Sequence, residues 1–222
     1  MKSAFPYGRG ATKLRLLLAD DHKLVLEGLR KILEPEFEVA GTVEDGRALL
    51  AAAAQLRPDA ILVDIAMPLL NGIDAARQLR HIVPEAKVIF VTMHAERAYI
   101  LAAADVGAAG YVLKRSLPKE LVAAVRAVIA GERFLAPSVG LEAAKVWNRA
   151  GRRARPRVVL TARQREVLQL AAEGKSNKEI AAVLNITVKS VEFHKASISR
   201  ALCTTKRAEL TRYAVQQGLV SP

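Results

Sequence analysis

Ile61-Leu62-Val63-Asp64-Ile65-Ala66-Met67-Pro68 is the stretch whose reading decides the fold. An aliphatic, β-branched run leads to a carboxylate, and Pro68 blocks its smooth continuation, so the run reads as a buried strand ending in an acid. Such an acid either caps the next turn or helix, or acts as a nucleophile at the carboxyl edge of a parallel sheet, where open α/β folds bind ligands. What the other strand ends bring to that edge decides between the two.

Upstream, Leu14 to Ala19 is a short apolar run closed by Asp20-Asp21, after which Leu24, Leu26, Leu29, Ile32 and Leu33 recur at helical spacing up to Glu34-Pro35. Phe37 to Val43 reads as a second strand, and Gly46 to Leu56 as an Ala/Leu-rich helix. Ala60 to Asp64 is then the third strand, with a helix beginning at Ile73 after Asn71-Gly72. Lys87 to Thr92 is the fourth strand, Ala95 to Ala104 a helix, and Ala109 to Leu113 the fifth strand, ending at Lys114. Pro118 starts a last helix that runs to about Ala130 and is closed by Gly131.

Five apolar strands alternating with five helices call for a parallel sheet covered on both faces, a flavodoxin-like (βα)5 doubly wound fold with strand order 2-1-3-4-5. That order makes strands 1 and 3 neighbours and brings Asp20, Asp21 and Asp64 to one crevice, flanked by Thr92 and Lys114. Three carboxylates in one pocket repel each other unless a hard divalent cation neutralises them, and all-oxygen ligation suits Mg²⁺. A hydroxyl and an ammonium beside them supply donors for the equatorial oxygens of a transferring phosphoryl group.

The charge is unevenly placed along the 222 residues. Residues 1–12 carry +2, residues 13–133 balance 16 Lys+Arg against 16 Asp+Glu, and residues 134–222 carry 16 against 6, a net +10. A neutral first domain joined to a basic second one points to a polyanionic partner for the second. The single Cys203 excludes an internal disulfide, and the four histidines show no metal-ligand spacing with it. No apolar run nears the ~18 residues that span a bilayer, and the polar, basic start lacks a signal-peptide core. The expectation is a cytoplasmic protein with no membrane partner, residues 1–12 being a flexible tail or lying upstream of the true start.

Residues 134–157 read as a linker, with a short helix from Leu141 to Asn148 that sets Leu141, Ala144 and Trp147 on one side. A basic run, Arg152 to Arg157, follows as a solvated hinge or a phosphate contact. From residue 158 the pattern is all helical. Thr161 and Gln164 form a capping box ahead of Val167, Leu168 and Ala171; Asn177 caps a short helix holding Ile180, Ala181 and Leu184. After the turn Asn185-Ile186-Thr187, Val188, Val191, Ile198 and Leu202 repeat at helical spacing, and a final helix runs from about Lys206 to Gln217. A short helix, a tight turn and a longer helix with a basic outward side make a helix-turn-helix within a four-helix domain.

The Asp20-Asp21 pair, Val63-Asp64-Ile65-Ala66-Met67-Pro68, Thr92 and Gly110-Tyr111-Val112-Leu113-Lys114 stand in the order and spacing of a two-component receiver domain, which residues 13–133 resemble. Leu160-Thr161 through Leu168, Gly174 to Ala181 and Val188 to His194 resemble a LuxR-type DNA-binding domain over residues 158–220. Together they are similar to a response regulator of the NarL/FixJ type, a non-enzymatic transcription factor switched by phosphorylation. The resemblance implies that Asp64 accepts phosphate from a histidine kinase or a small phosphodonor. It implies Mg²⁺ held by Asp20, Asp21, Asp64 and the carbonyl of Ala66, with Thr92 and Lys114 on the phosphoryl oxygens. Tyr111 is then the rotameric switch that turns inward as Thr92 moves, while Ala66 and His94 tune phosphoryl lifetime.

The same resemblance puts Val188 to Ala201 in the major groove of promoter DNA. Lys189, His194, Lys195 and Arg200 are candidates for phosphate contact, and Glu192, Phe193 and Ala196 for base readout. Phe193 and Ser197 stand where Thr and Asn are common, and Cys203 stands where a glycine in left-handed conformation is expected. The unphosphorylated receiver is expected to hide the recognition helix, and phosphorylation to free it and favour dimers on paired half-sites. An aspartate-nucleophile phosphohydrolase is the enzymatic alternative, but Ala66 replaces the second acid such enzymes use. A receiver working without phosphorylation is the third reading.

Overall fold

The computed structural model describes residues 13–116, 118–140, 144, 145, 147 and 160–220. The start at 1–12 and the basic run at 152–157 lie outside the described residues. The first domain runs β1 (Arg15–Ala19), α1 (Lys23–Leu33), β2 (Glu38–Val43), α2 (Gly46–Leu56), β3 (Ala60–Val63), α3 (Gly72–Ile82), β4 (Lys87–Thr92), α4 (Arg97–Asp105), β5 (Gly110–Leu113) and α5 (Lys119–Ile129). All strand pairs are parallel, in the order 2-1-3-4-5. A two-residue β6 (Phe134–Leu135), unread in the sequence, pairs with β5 and carries the sheet past residue 133. Its brevity hides it, because two residues show no periodicity.

Alternation along β1 explains why both faces are covered. Leu17 points into a core shared with α2, α3 and α4, through Leu49, Leu79 and Ile100. Leu16 and Leu18 point into a second core formed with α1 and α5, through Leu29, Leu33, Leu121 and Val125. Leu24, counted in the apolar stripe of α1, lies in its first turn and is 81% exposed. Trp147 is buried in the first of these cores; with Ala144 and Lys145 it is helical, as expected, while the other residues of 141–148 lie outside the described residues.

The second domain comprises α6 (Ala162–Ala172), α7 (Asn177–Leu184), α8 (Val188–Ala201) and α9 (Arg207–Gln216) around Val167, Leu170, Ile180, Leu184, Val191 and Ile198. The Thr161/Gln164 capping box forms. Ser176 caps α7, in a second capping box with Glu179, so Asn177 is the first helical residue and not the cap. Asn185 and Cys203 both take positive φ (51° and 53°), so the thiol residue adopts the left-handed conformation a glycine would supply.

Two glycines let the segment after β3 lie backbone to backbone against its neighbours. A Cβ at Gly72 would stand 2.0 Å from the carbonyl oxygen of Asp64, and one at Gly46 would stand 1.9 Å from that of Leu70. Gly28 in α1 has no heavy atom within 4 Å of that position. Gly72→Ala is therefore expected to lower unfolding free energy by about 2–3 kcal/mol through overpacking. Gly28→Ala should raise it by about 0.5–1 kcal/mol through helix propensity. Urea denaturation of both variants checks the pair; equal effects would show that the close approach at Gly72 is relaxed at no cost.

Candidate functional site

The carboxyl edge of the sheet collects the five residues the sequence placed there. Asp20 follows β1, Asp64 follows β3, Thr92 ends β4 and Lys114 follows β5. Asp20, Asp64 and Thr92 are buried, whereas Asp21 is exposed at the rim. Capping is excluded as the role of Asp64, because Asn71 caps α3 with its side chain on the N–H of Asp74. Asp64 instead accepts from its neighbour's N–H, Ile65, at 2.7 Å.

One ammonium holds the two buried acids. Lys114 Nζ lies 2.8 Å from Asp64 Oδ2 and 2.6 Å from Asp20 Oδ2. Burial raises the Asp20 carboxyl above the usual aspartate range; Lys114 pulls it partly back and the Asp64 charge adds to the rise. With its folded pKa above the unfolded one, ionised Asp20 costs stability at neutral pH, a cost relieved as pH falls through the raised value. Burial also works against the Lys114 ammonium, but the two carboxylates outweigh it and hold its pKa above the ordinary lysine value.

Two buried carboxylates that share one ammonium form the oxygen set that a hard cation would complete. Asp20, Asp21 and His22 also bring ligand atoms within 4.8 Å of one another. His22, one of the four histidines read as having no metal-ligand spacing, lies 2.7 Å from Asp21 through Nδ1 and is exposed, an ion partner when protonated. Only its place after the acid pair could have signalled it.

Tyr111 is fully buried, and its hydroxyl donates to the carbonyl of His94 at 2.9 Å. Burial, then the nearby acids Glu96 and Asp64, push its hydroxyl pKa upward. The ring meets Trp147 edge-on, centroids 6.2 Å apart, and the Arg133 guanidinium lies 4.3 Å from the Trp147 ring centroid. Any rotation of Tyr111 therefore moves against the linker tryptophan. His94 stacks on Tyr99 of α4, and its backbone N–H approaches Thr92 Oγ1 at 3.4 Å.

On the second domain, Lys189, Glu192, Phe193, Ala196 and Arg200 are exposed along α8, with Phe193 at 64%. His194 and Lys195 are half-buried, and Lys195 Nζ donates to Asn177 Oδ1 of α7 at 2.8 Å. The expectation that the receiver hides this helix is not met. The receiver engages α6 and the end of α9 instead, because α6 carries a polar stripe that α2, α3 and the loop before α3 satisfy. Arg165 Nε binds Asp74 at 2.8 Å, Gln169 binds Asn71 and Met67, and Glu166 meets Arg47 and Gln78. At the other end, Gly218 lies against the ring of Tyr99, whose hydroxyl donates to the carbonyl of Val215 at 3.4 Å.

The lysine bridge makes a stability test. Lys114→Met leaves Asp20 and Asp64 buried without a counter-ion, an expected loss of about 3 kcal/mol at neutral pH. Added Mg²⁺ should raise the melting temperature of the variant more than that of the wild type. Thermal melts with and without the ion check this; an unchanged melting temperature would show that the acids are neutralised by other means.

Comparisons with known proteins bear on both halves. The chain matches the model of the response regulator receiver domain over residues 16–126, and that of the bacterial regulatory proteins, luxR family, over residues 158–214. It is 40% identical over 211 residues to the transcriptional regulatory protein MctR of Rhizobium johnstonii, covering 94% of this chain and 96% of that protein. It is 34% identical to the response regulator protein VraR of Staphylococcus aureus, covering 93% and 99%. Among solved structures it resembles RcsB of Salmonella typhimurium, with TM-score 0.63 and 28% identity over 93% of this chain and 99% of that one. It also resembles RcsB of Salmonella enterica serovar Typhimurium bound to a promoter in the presence of the phosphomimetic BeF3−, with TM-score 0.59 and 30% identity over 91% and 98%. A receiver pocket joined to a LuxR-type helix-turn-helix makes this chain a member of the NarL/FixJ-type two-component response regulators, a DNA-binding transcriptional regulator.

Proposed function

We propose that Asp64 is the phosphoacceptor, supplied by a histidine kinase or a small phosphodonor. The observation that carries this reading is the joint approach of Lys114 to Asp64 and Asp20 at the sheet edge. An Asp64 oxygen forms the new bond to phosphorus as the bond from phosphorus to the donor's imidazole nitrogen or acyl oxygen breaks, and the leaving group carries away that electron pair. Lys114 Nζ turns from the carboxylates to the phosphoryl oxygens, and Thr92 donates its hydroxyl to another of them. Asp20, Asp21, Asp64 and the carbonyl of Ala66 would hold Mg²⁺, which when bound neutralises charge on the transferring group. Ala66 has no side chain with which to orient a hydrolytic water, whereas His94 stands close to Thr92.

Thr92 drawn toward the phosphoryl group leaves its place near His94, and Tyr111 responds as the switch. Release of the second domain then allows two copies to sit on half-sites about one helical turn apart. Lys189, His194, Lys195 and Arg200 contact phosphates in this reading, and Glu192, Phe193 and Ala196 read bases, Phe193 through a thymine methyl. Lys195 gives up its bond to Asn177 to do so. A cytoplasmic setting accords with such a partner set, and among the described residues no helix is long and apolar enough to cross a membrane.

Two measurements test the reading. Incubation with acetyl phosphate and Mg²⁺ should add one phosphate to the wild type and none to Asp64→Asn, as read by intact mass. Label on neither, with both folded, would favour a regulator that works without phosphorylation. Specific DNA affinity should fall steeply with salt, because phosphate neutralisation dominates it; log Kd against log salt with a slope near zero would give the basic domain another role.

A further inference from the structure

The segment between Asp64 and α3 is held from outside its own domain. Gln169, at the centre of α6, is fully buried and uses its whole hydrogen-bonding capacity there. Its Nε2 donates to the carbonyl of Met67 at 3.0 Å and to Glu173 at 2.8 Å. Its Oε1 accepts from the N–H of Asn71 at 2.9 Å and from Asn71 Nδ2 at 3.0 Å. One turn on, Glu173 accepts from the N–H of Leu69 at 3.2 Å; one turn back, Arg165 pairs with Asp74. Residues four apart share a helix face, so 165, 169 and 173 form one stripe along the loop.

The conformation so held is a strained one. Leu69 has φ of 65°, and the N–H of Leu70 donates to the carbonyl of Pro68 at 2.7 Å, closing a three-residue turn around it. A non-glycine residue in that region persists only where its surroundings over-determine it. Here they include the other domain, because the Leu69 side chain packs against the core of α6–α9. The loop ends are fixed within the receiver, by Asp64 N–H to Ala19 and Gly72 N–H to Ile65. Its middle is not.

We propose that Gln169, a residue of the DNA-binding domain, is a positioning residue for the phosphoryl chemistry of the receiver, holding the acceptor loop in a strained form that opposes cation binding at Ala66 and phosphorylation of Asp64. The inference rests on the reading of Asp64 as phosphoacceptor. The held carbonyl of Met67 directly follows Ala66, and in the same state Lys114 occupies the space between the two acids. When α6 withdraws, Leu69 relaxes and the loop is free to present its carbonyl. Coupling is reciprocal: whatever draws the second domain away eases phosphorylation by the same factor by which phosphorylation eases withdrawal.

The test is the rate of phosphate incorporation from acetyl phosphate across a Mg²⁺ series, by intact mass on the full chain. Gln169→Met keeps the volume and removes the bonds to the loop. Gln78→Met removes an interdomain hydrogen bond to Glu166 that does not reach the loop. Gln169→Met should label about fivefold faster below Mg²⁺ saturation, with a lower half-saturating Mg²⁺, while Gln78→Met stays near wild type. If Gln169→Met melts below the assay temperature, Glu173→Met removes the bond to Leu69 and should accelerate labelling in the same way. A wild-type rate and Mg²⁺ response in the position-169 variant would overturn the proposal, as would equal acceleration by both glutamine variants, which would assign the effect to the interface as a whole. A wild type that takes no phosphate would overturn the phosphoacceptor reading itself.

Discussion

Two carboxylates sit beneath the surface of this receiver with one ammonium between them, and the architecture follows from keeping them there. Burial alone would protonate one acid, and an unpaired charge in such a place is costly. Lys114 makes the pair tolerable without making it inert, because its four-carbon stem allows the charge to be relocated when another cation or a phosphoryl group arrives. The parallel sheet exists, functionally, to deliver the ends of β1, β3 and β5 to that point. Gly46 and Gly72 allow main chain to close around the loop that follows Asp64.

Much of this was legible in the sequence because the relevant signals are periodic or adjacent. Alternating apolar runs and helices fix the strand order through handedness, and the order fixes which acids meet. Thr92 and Lys114 were found because each directly ends a strand. The caps at Thr161 and Thr187 were legible for the same local reason, whereas Ser176 was passed over in favour of its neighbour Asn177, itself a good capping residue. β6 has no pattern to read, and Leu24 has a pattern that its position at the first turn of α1 empties of meaning.

The contact between the domains was not legible, and the receiver was assigned to the wrong helix. Arg165, Gln169 and Glu173 read as the solvent face of an amphipathic helix, which is what a polar stripe ordinarily is. Only the receiver's loop turns it into a buried surface, and no spacing within either domain announces partners separated by about a hundred residues. The outcome leaves α8 open to solvent.

The single tryptophan bears on how the chain is to be watched. Trp147 lies edge-on to Tyr111 under the guanidinium of Arg133, its indole N–H buried and with no hydrogen-bond partner among the described residues. An indole passing from that dry, cation-capped niche into water changes its emission, and no other tryptophan in the chain obscures the signal. The protein thus carries its own optical reporter beside Tyr111.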